Sequence, residues 1–428
     1  MNTKQKLITK INSVVTVLFL ALYFLINFKK FVLTSEPRGD EHSFLEMYDV
    51  FLNQGFYEAN VAGNSTLFNF ISSLFYQLGF SPLYSLKCTS VLSGLATMVL
   101  LYYIGKRMYG HYNAYFQTVA LLTSYNVIIV VIAMFGGIND PLLTVLLLAI
   151  VYILLKKVLS TKDFIYIGAL LALMLATRKF TILFIPSLLF LLFVVLRKQS
   201  QIAKKLMYLA VSCGLLIGIL NFPSLKENGT LSFHSKENKE YVANWAQLQY
   251  YTQLQVNEGK IAFGSHVTWQ DTDEYLAKNG ENSLPKGIIS GLLFDVKLTV
   301  KEFFIDFFYN AKSFTRLLGI IFILNIIIFG FKLIRRKLSI QTFINNPIDT
   351  FGLIYTLILS LIVISYVEIR WFIPILTILS FVFMKRIHLF TANFKNAQRN
   401  NFLILNAQLI ALNVMSLPLI IKNFTQIL

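Results

Sequence analysis

Apolar runs of roughly 20 residues recur from one end of this chain to the other, many of them closed by lysine or arginine. Runs of that length fit helices crossing a hydrocarbon core of about 30 Å. In lipid a segment has no water for its backbone groups, so it must close its hydrogen bonds within a helix or a sealed barrel. The two-residue alternation of barrel strands is absent, which leaves helices. With 56% hydrophobic and 14% charged residues, 428 residues have too little polar surface for a soluble core of that size. The sequence therefore predicts an all-α polytopic membrane protein.

A net charge of +17 raises the question of nucleic acid, and its distribution answers it. Twenty of the 38 lysines and arginines fall in six clusters: Lys4–Lys10, Lys106–Arg107, Lys156–Lys162, Arg197–Lys205, Lys332–Lys337 and Lys385–Arg399. Only Asp163 and Asp349 accompany them, leaving 18 basic against 19 acidic residues elsewhere. The excess sits on one side of the membrane, as the positive-inside rule requires. It sets orientation, and nucleic acid is not an expected partner. The first apolar segment has charge after it and no small-residue cleavage site, so it reads as a first transmembrane helix. Cys88 and Cys213 lie within or beside apolar segments, with no disulfide or zinc spacing.

Taken in order, the first segment covers Ile11–Phe28 and leads outward into a loop at about 29–84. Two helical stripes follow there. One is Phe44, Leu45, Met47, Tyr48, Phe51 and Leu52; the other is Leu67, Phe68, Phe70, Ile71, Leu74, Phe75 and Leu78. Both are too short and one-sided to span, and predict helices lying in the outer interface. Further segments are expected at about 85–105, 112–135, 141–155, 164–177, 180–196 and 206–222. After an outer region at 223–312 come segments at about 313–331, two more flanking Glu368–Trp371, and one at about 402–421. That makes about 11 crossings, with the N-terminus cytoplasmic. The expected organisation is a transmembrane catalytic module (1–222), an extracytoplasmic loop region (223–312) and C-terminal helices (313–428). Within the loop region, Leu292–Tyr309 is amphipathic and predicts a helix on the membrane surface.

By this topology the scarce charges converge on one membrane face. Arg38, Asp40, Glu41 and His42 lie in the first outer loop, Asp140 in the second, Arg178 and Lys179 in the third, and Glu368 and Arg370 in the last. Transfer of a sugar from a polyprenyl phosphate needs such a set. A carboxylate takes the proton of the attacking hydroxyl, and cations hold the departing phosphate. Each residue also has a structural reading. Asp40 and Asp140 each precede a helical pattern and suit a cap. Arg178 and Lys179 suit snorkelling to the interface, and Glu368 and Arg370 an ion pair. His42 has no spaced partners for zinc.

The order of these residues resembles the GT-C glycosyltransferases, in the branch of protein O-mannosyltransferases and lipid A aminoarabinose transferases. Asp40-Glu41 stands where that family carries an Asp-Glu pair, and Leu67–Ile71 is similar to its second juxtamembrane helix. Leu100–Gly110, Asp140–Leu143, Ala176–Lys179 and Glu368–Pro374 resemble further family elements. The resemblance implies a GT-C-like bundle in the cell (inner) membrane with an extracytoplasmic active site. Its donor would be a polyprenyl-phosphate-linked sugar, and its acceptor a glycan, lipid or protein. It implies Asp40 as the base, with Glu41 and Asp140 as further catalytic acids. The phosphate would fall to Arg178, Lys179, Arg370 or Arg38, supported by His42 and Glu368. One departure is clear: Asn64-Ser65-Thr66 stands where many relatives place Lys-Pro-Pro. A divalent metal could sit near Asp40, Glu41 and Asp140, yet the related mannosyltransferases are metal-independent as a group, so no cofactor is expected. The competing readings are a transporter or lipid flippase using the outer acids for coupling, and a non-catalytic assembly or polymerase subunit. The acids cluster in loops and not within spans, which favours the enzyme.

Overall fold

The computed structural model describes residues 3–109, 134–197, 199–231, 240–335, 339–362, 367–392, 394 and 396–425, and among these it has helices and no strands. Four helical stretches are long and apolar enough to cross a membrane: Leu7–Leu33, Pro82–Tyr109, Ile202–Leu220 and Arg370–Thr391. Asp140–Leu154, Thr181–Leu196, Ile320–Ile334 and Pro347–Leu361 are shorter apolar helices. The protein is an all-α polytopic membrane protein. The segment expected at 112–135 lies almost wholly outside the described residues.

The chain divides into two compact units, one of Met1–His234, Phe314–Gly352 and Ile373–Leu428, the other of Ser235–Ser313 and Leu353–Phe372. The first unit opens with α1 (Thr3–Leu33), α2 (Glu41–Val61), α3 (Thr66–Gln77) and α4 (Pro82–Tyr109). It continues with α5 (Asp140–Leu154), α6 (Thr161–Thr177), α7 (Ile185–Leu196), α8 (Ile202–Leu220) and α9 (Phe222–Asn228). Helix α4 packs on α3 and α5, α5 on α6, and α6 on α8. α5 buries Leu142, Leu143, Leu146, Leu147, Ile150 and Val151 around most of its circumference, as an all-apolar central helix must. α8 instead shows Met207, Val211, Leu215 and Ile219 outward at helical spacing, a face suited to lipid.

The stripe on α3 is turned against the rule for soluble proteins. Thr66, Asn69 and Ser72 are buried along with Phe68, and Ser72 Oγ lies 2.8 Å from Thr89 Oγ1 of α4. Phe70 and Leu74 are exposed. Small polar groups let helices approach closely and bond where surrounding lipid offers no hydrophobic drive. α2 extends well beyond its predicted stripe, with a kink at Gly55 (φ 82°).

In the second unit, α10 (Trp245–Asn257) and α11 (Trp269–Asn279) each begin with a capping box, Asn244 with Gln247 and Thr268 with Asp271. They are followed by α12 (Ile288–Phe294) and α13 (Val296–Leu318). Ala243, Tyr250, Leu276, Leu284 and Leu298 form the core of this unit. The expected surface helix over 292–309 is split at Asp295, whose side chain accepts from Leu298 N at 2.9 Å and starts α13 afresh. The segment expected from about 313 begins later, because Gly319 (φ 63°) ends α13 before α14 (Ile320–Ile334). The chain closes with α15 (Ile340–Asn345), α16 (Pro347–Leu361), α17 (Ile373–Thr391) and α18 (Ala397–Thr425). α18 packs on α1, where Asn12 Nδ2 donates to Asn406 Oδ1 at 2.7 Å.

Candidate active site

At one end of the first unit the start of α4, the start of α5 and the end of α6 come together. The opposite ends carry Lys106–Arg107 in the last turn of α4 and Lys156–Lys162 around the α5–α6 turn. The turn Gly136–Asn139 approaches α4 so closely that a Cβ on Gly137 would sit 3.2 Å from Leu86 Cβ. Ser90 Oγ of α4 donates to Ile138 O at 2.7 Å, fixing that stretch from the side.

Asn139 is the hub. Its Nδ2 donates to Thr177 O at 2.7 Å and to Ser65 Oγ at 3.1 Å, and Ser65 Oγ in turn donates to Thr177 O. Asn139 and Thr177 are wholly buried. Three loops distant in sequence are thereby tied into one polar knot. The knot ties its members through the donors it satisfies, Asn139 Nδ2 and Ser65 Oγ, while the buried Asn139 Oδ1 accepts no hydrogen bond among the described residues. Ser65 belongs to the turn Asn64-Ser65-Thr66, so that turn helps to hold the loops together.

Beside the knot Arg178 Nη1 and Asp140 Oδ1 form an ion pair, with both side chains largely buried. The helix start at Asp140 differs in detail from a capping aspartate. Asn139 occupies the N-cap without a side-chain cap bond, and Asp140 is already the first helical residue. Arg178 has claimed the carboxylate instead.

Asp40 and Glu41 take different environments. Asp40 stands at the N-cap of α2, yet its backbone is already helical (φ −63°, ψ −17°) and its side chain makes no cap bond. An N-cap residue usually has extended geometry, which is what brings its oxygen to the first free amides. Glu41 makes the side-chain bonds here, to backbone amides outside α2. Its Oε2 accepts from Arg38 N at 2.9 Å and its Oε1 accepts from Gly137 N at 2.8 Å. Glu41 is 6% exposed, while Asp40 is only half-buried. The turn that allows this passes through Gly39 at φ 55°, where Glu41 N donates to Arg38 O at 3.1 Å. Glu41 thus joins the first outer loop to the second.

Lys87 is a further charge at this end that sequence reading passed over. It is 2% exposed on α4, and its Nζ donates to Thr34 O at 3.1 Å between the Phe31 and Tyr84 rings. Glu41 and Arg38 both lie within its electrostatic reach. The available signal was a lone lysine inside an apolar run, where a charge is costly to keep. Arg38 and His42 are exposed. The side chain of Lys179 lies outside what is described. Glu368 and Arg370 belong to the second unit, where they pair with each other, Arg370 Nη2 lying 3.1 Å from Glu368 Oε1. Arg370 sits in the 3-10 turn Ile369–Phe372, directly after Glu368. Among the described residues no three or more His, Cys, Asp or Glu side chains gather as for a metal ion.

Residues 64–222 match the family model of dolichyl-phosphate-mannose-protein mannosyltransferases. No curated protein and no solved structure matches the chain at a significant level. The mannosyltransferase match contains Ser65, Lys87, Asn139, Asp140, Thr177 and Arg178; Asp40 and Glu41 precede it. It supports a membrane glycosyltransferase that uses a polyprenyl-phosphate-linked sugar.

Proposed function

We propose that the protein transfers a sugar from a polyprenyl-phosphate donor to an acceptor hydroxyl at the extracytoplasmic face, with Asp40 as general base. The observation that carries this reading is placement: Asp40 stands half-buried at the start of α2, in a turn that its neighbour Glu41 fixes by accepting from Arg38 N and Gly137 N.

In the reaction, an acceptor oxygen attacks the anomeric carbon as the bond from that carbon to the phosphate oxygen breaks. The hydroxyl proton passes to Asp40, and the polyprenyl phosphate leaves with the electron pair. Growing charge on the phosphate calls for a fixed cation, because preorganised charge stabilises it without reorganisation. Arg178, held in place by Asp140, is our assignment for that role, with Arg38 and Lys179 as further contributors. His42 would support the site from its edge.

The extracytoplasmic placement rests on charge. The knot lies at the helix ends opposite Lys106–Arg107 and Lys156–Lys162, and basic clusters mark the cytoplasmic side. The exposed apolar face of α3 would then lie in the outer interface, where a lipid-linked donor presents its head group.

The deciding experiment compares wild type with Asp40→Asn in detergent, supplying a polyprenyl-phosphate sugar and an acceptor extract. Loss of transfer by a variant that unfolds at the wild-type temperature supports the base assignment. Undiminished transfer by that variant sinks it.

A further inference from the structure

α13 sorts its charges by side. At about 3.6 residues per turn, its four cations, Lys297, Lys301, Lys312 and Arg316, share one side of the helix, and its two acids, Glu302 and Asp306, share the other. The cations are exposed and the acids are buried. Beside the cations runs an apolar stripe of Val296, Val300, Phe304 and Phe308 at four-residue spacing, also exposed. α12 adds Ile289 and Leu293, both exposed as well. Amphipathic spacing alone would suit any apolar partner. The chain that follows α13 and the company its cations keep select a lipid surface.

Only Gly319, at φ 63°, separates Leu318 from the apolar helix α14. That break is built into the fold. The buried Gln408 of α18 donates through Nε2 to Leu318 O at 2.7 Å, and its Oε1 accepts from Ile321 N at 3.0 Å. One side chain thus serves a free carbonyl at the end of α13 and a free amide at the start of α14. Such groups have no water to turn to within a membrane, so a break persists there where protein satisfies it. A chain needs an elbow of this kind where a helix lying along a membrane turns into one that crosses it. α14 ends at Lys332 and Arg335, in a basic cluster, so α13 adjoins the end away from those charges. α13 itself, with six charges in 23 residues, is not among the helices apolar enough to cross.

We propose that α12 and α13 form a docking surface for a membrane containing anionic phospholipid, at the end of α14 away from Lys332. The apolar stripe would lie in the interfacial layer, and Lys297, Lys301, Lys312 and Arg316 would meet lipid phosphates. Helices that lie in this plane combine an apolar face with lysine and arginine beside it. The stems of those side chains run along apolar surface while their heads reach the head-group layer. With every cation of α13 turned toward the stripe and every acid turned away, the face attracts anionic head groups and presents nothing that repels them. The surface is separate from the chemistry assigned to Asp40, so its test needs no transferase activity.

The test uses the full-length protein with Cys88→Ala and Cys213→Ala, carrying one nitroxide label at Val300→Cys, at Phe304→Cys or, on α11, at Lys278→Cys. All three labelled positions are exposed, so the fold does not depend on them. The protein is placed in nanodiscs of phosphatidylcholine, with or without phosphatidylglycerol. Collision of the label with oxygen, which concentrates in lipid, is compared with collision with a water-soluble nickel chelate. Labels at 300 and 304 should favour oxygen several-fold more than the label at 278, and phosphatidylglycerol should deepen both. Lys297→Gln, Lys301→Gln and Lys312→Gln together should abolish the phosphatidylglycerol effect. The proposal is overturned if positions 300 and 304 meet the chelate as freely as 278 does. It is equally overturned if phosphatidylglycerol makes no difference, or if its effect survives loss of the lysines. Spin coupling at 304 that dilution with unlabelled protein removes would put a second copy on this face, and would also overturn it.

Discussion

Arg178 and Asp140, 38 positions apart, form a buried ion pair beside the knot made by Asn139, Ser65 and Thr177. The sequence put these two residues on opposite sides of the chemistry, one as acid and one as phosphate cation. Their pairing makes them one unit. Breaking a buried pair strands a charge, at a cost of about 3–5 kcal/mol. Asp140→Asn or Arg178→Met alone should each lower the unfolding temperature strongly. The double variant should recover part of the loss, because neither charge is stranded. Thermal unfolding of all three in detergent checks this; strictly additive losses would show that the residues act independently. Donor binding should weaken in both variants that lack Arg178.

Glu41 offers a cleaner separation of structure from chemistry. Each carboxylate oxygen accepts one backbone amide, from Arg38 and from Gly137. Glutamine can accept only one of them, and its NH₂ would face the other donor. Leaving one buried donor unmatched costs about 1–3 kcal/mol. Glu41→Gln should therefore lower stability by that order and reduce turnover by loosening Asp40, while Glu41→Asp should be too short to reach both loops. The readout is amide exchange at 135–141, which should quicken in Glu41→Gln and stay unchanged in Asp40→Asn.

Lys87 is expected to act through the field it sets at Glu41. Removing it as Lys87→Met keeps the packing between Phe31 and Tyr84 but takes away a buried positive charge and the bond to Thr34 O. Glu41 would then be compensated by backbone dipoles alone. Transfer should fall in Lys87→Met and return in part in Lys87→Arg, with the acceptor KM little changed in both. Equal loss in both variants would point to packing and not to charge.

These relationships mark where sequence reading reaches its limit. The stripes at 44–52 and 67–78 announced α2 and α3, because helical spacing of apolar residues is a local property. Asp140-Pro141 announced a helix start for the same reason, although Asn139 took the cap. The sidedness of the charged loops was legible from the basic clusters. Partner choice was not. That Arg178 would meet Asp140, or that Asn139 would reach Thr177, depends on how α5 and α6 pack, and no local pattern encodes it. Gly319 was missed as a break because a single glycine in an apolar context looks like any lipid-facing small residue. Lys87 was passed over because attention fell on charges in loops.

The packing that delivers Thr177 and Arg178 to the site depends on one small residue lower on the same helix. α6 lies against α8 at Gly168, where a Cβ would clash with Leu209 O and Ser212 Oγ. Ser212 can rotate away, but Leu209 O is backbone and cannot. Gly168→Ala must therefore push the helices apart, at a cost on the scale of over-packed cores, about 1–3 kcal/mol or more. Gly94 makes a useful contrast. Its Cβ would also clash, but with the Met134 side chain, whose Sδ and Cγ can move to another rotamer, which leaves Met134 Cβ at 2.8 Å as the contact to be relieved. Gly94→Ala should accordingly be the milder of the two in thermal unfolding. Only Gly168→Ala should also displace the C-terminal end of α6 and weaken donor binding through Arg178. If the two variants unfold alike, helix separation at Gly168 is not what positions Arg178.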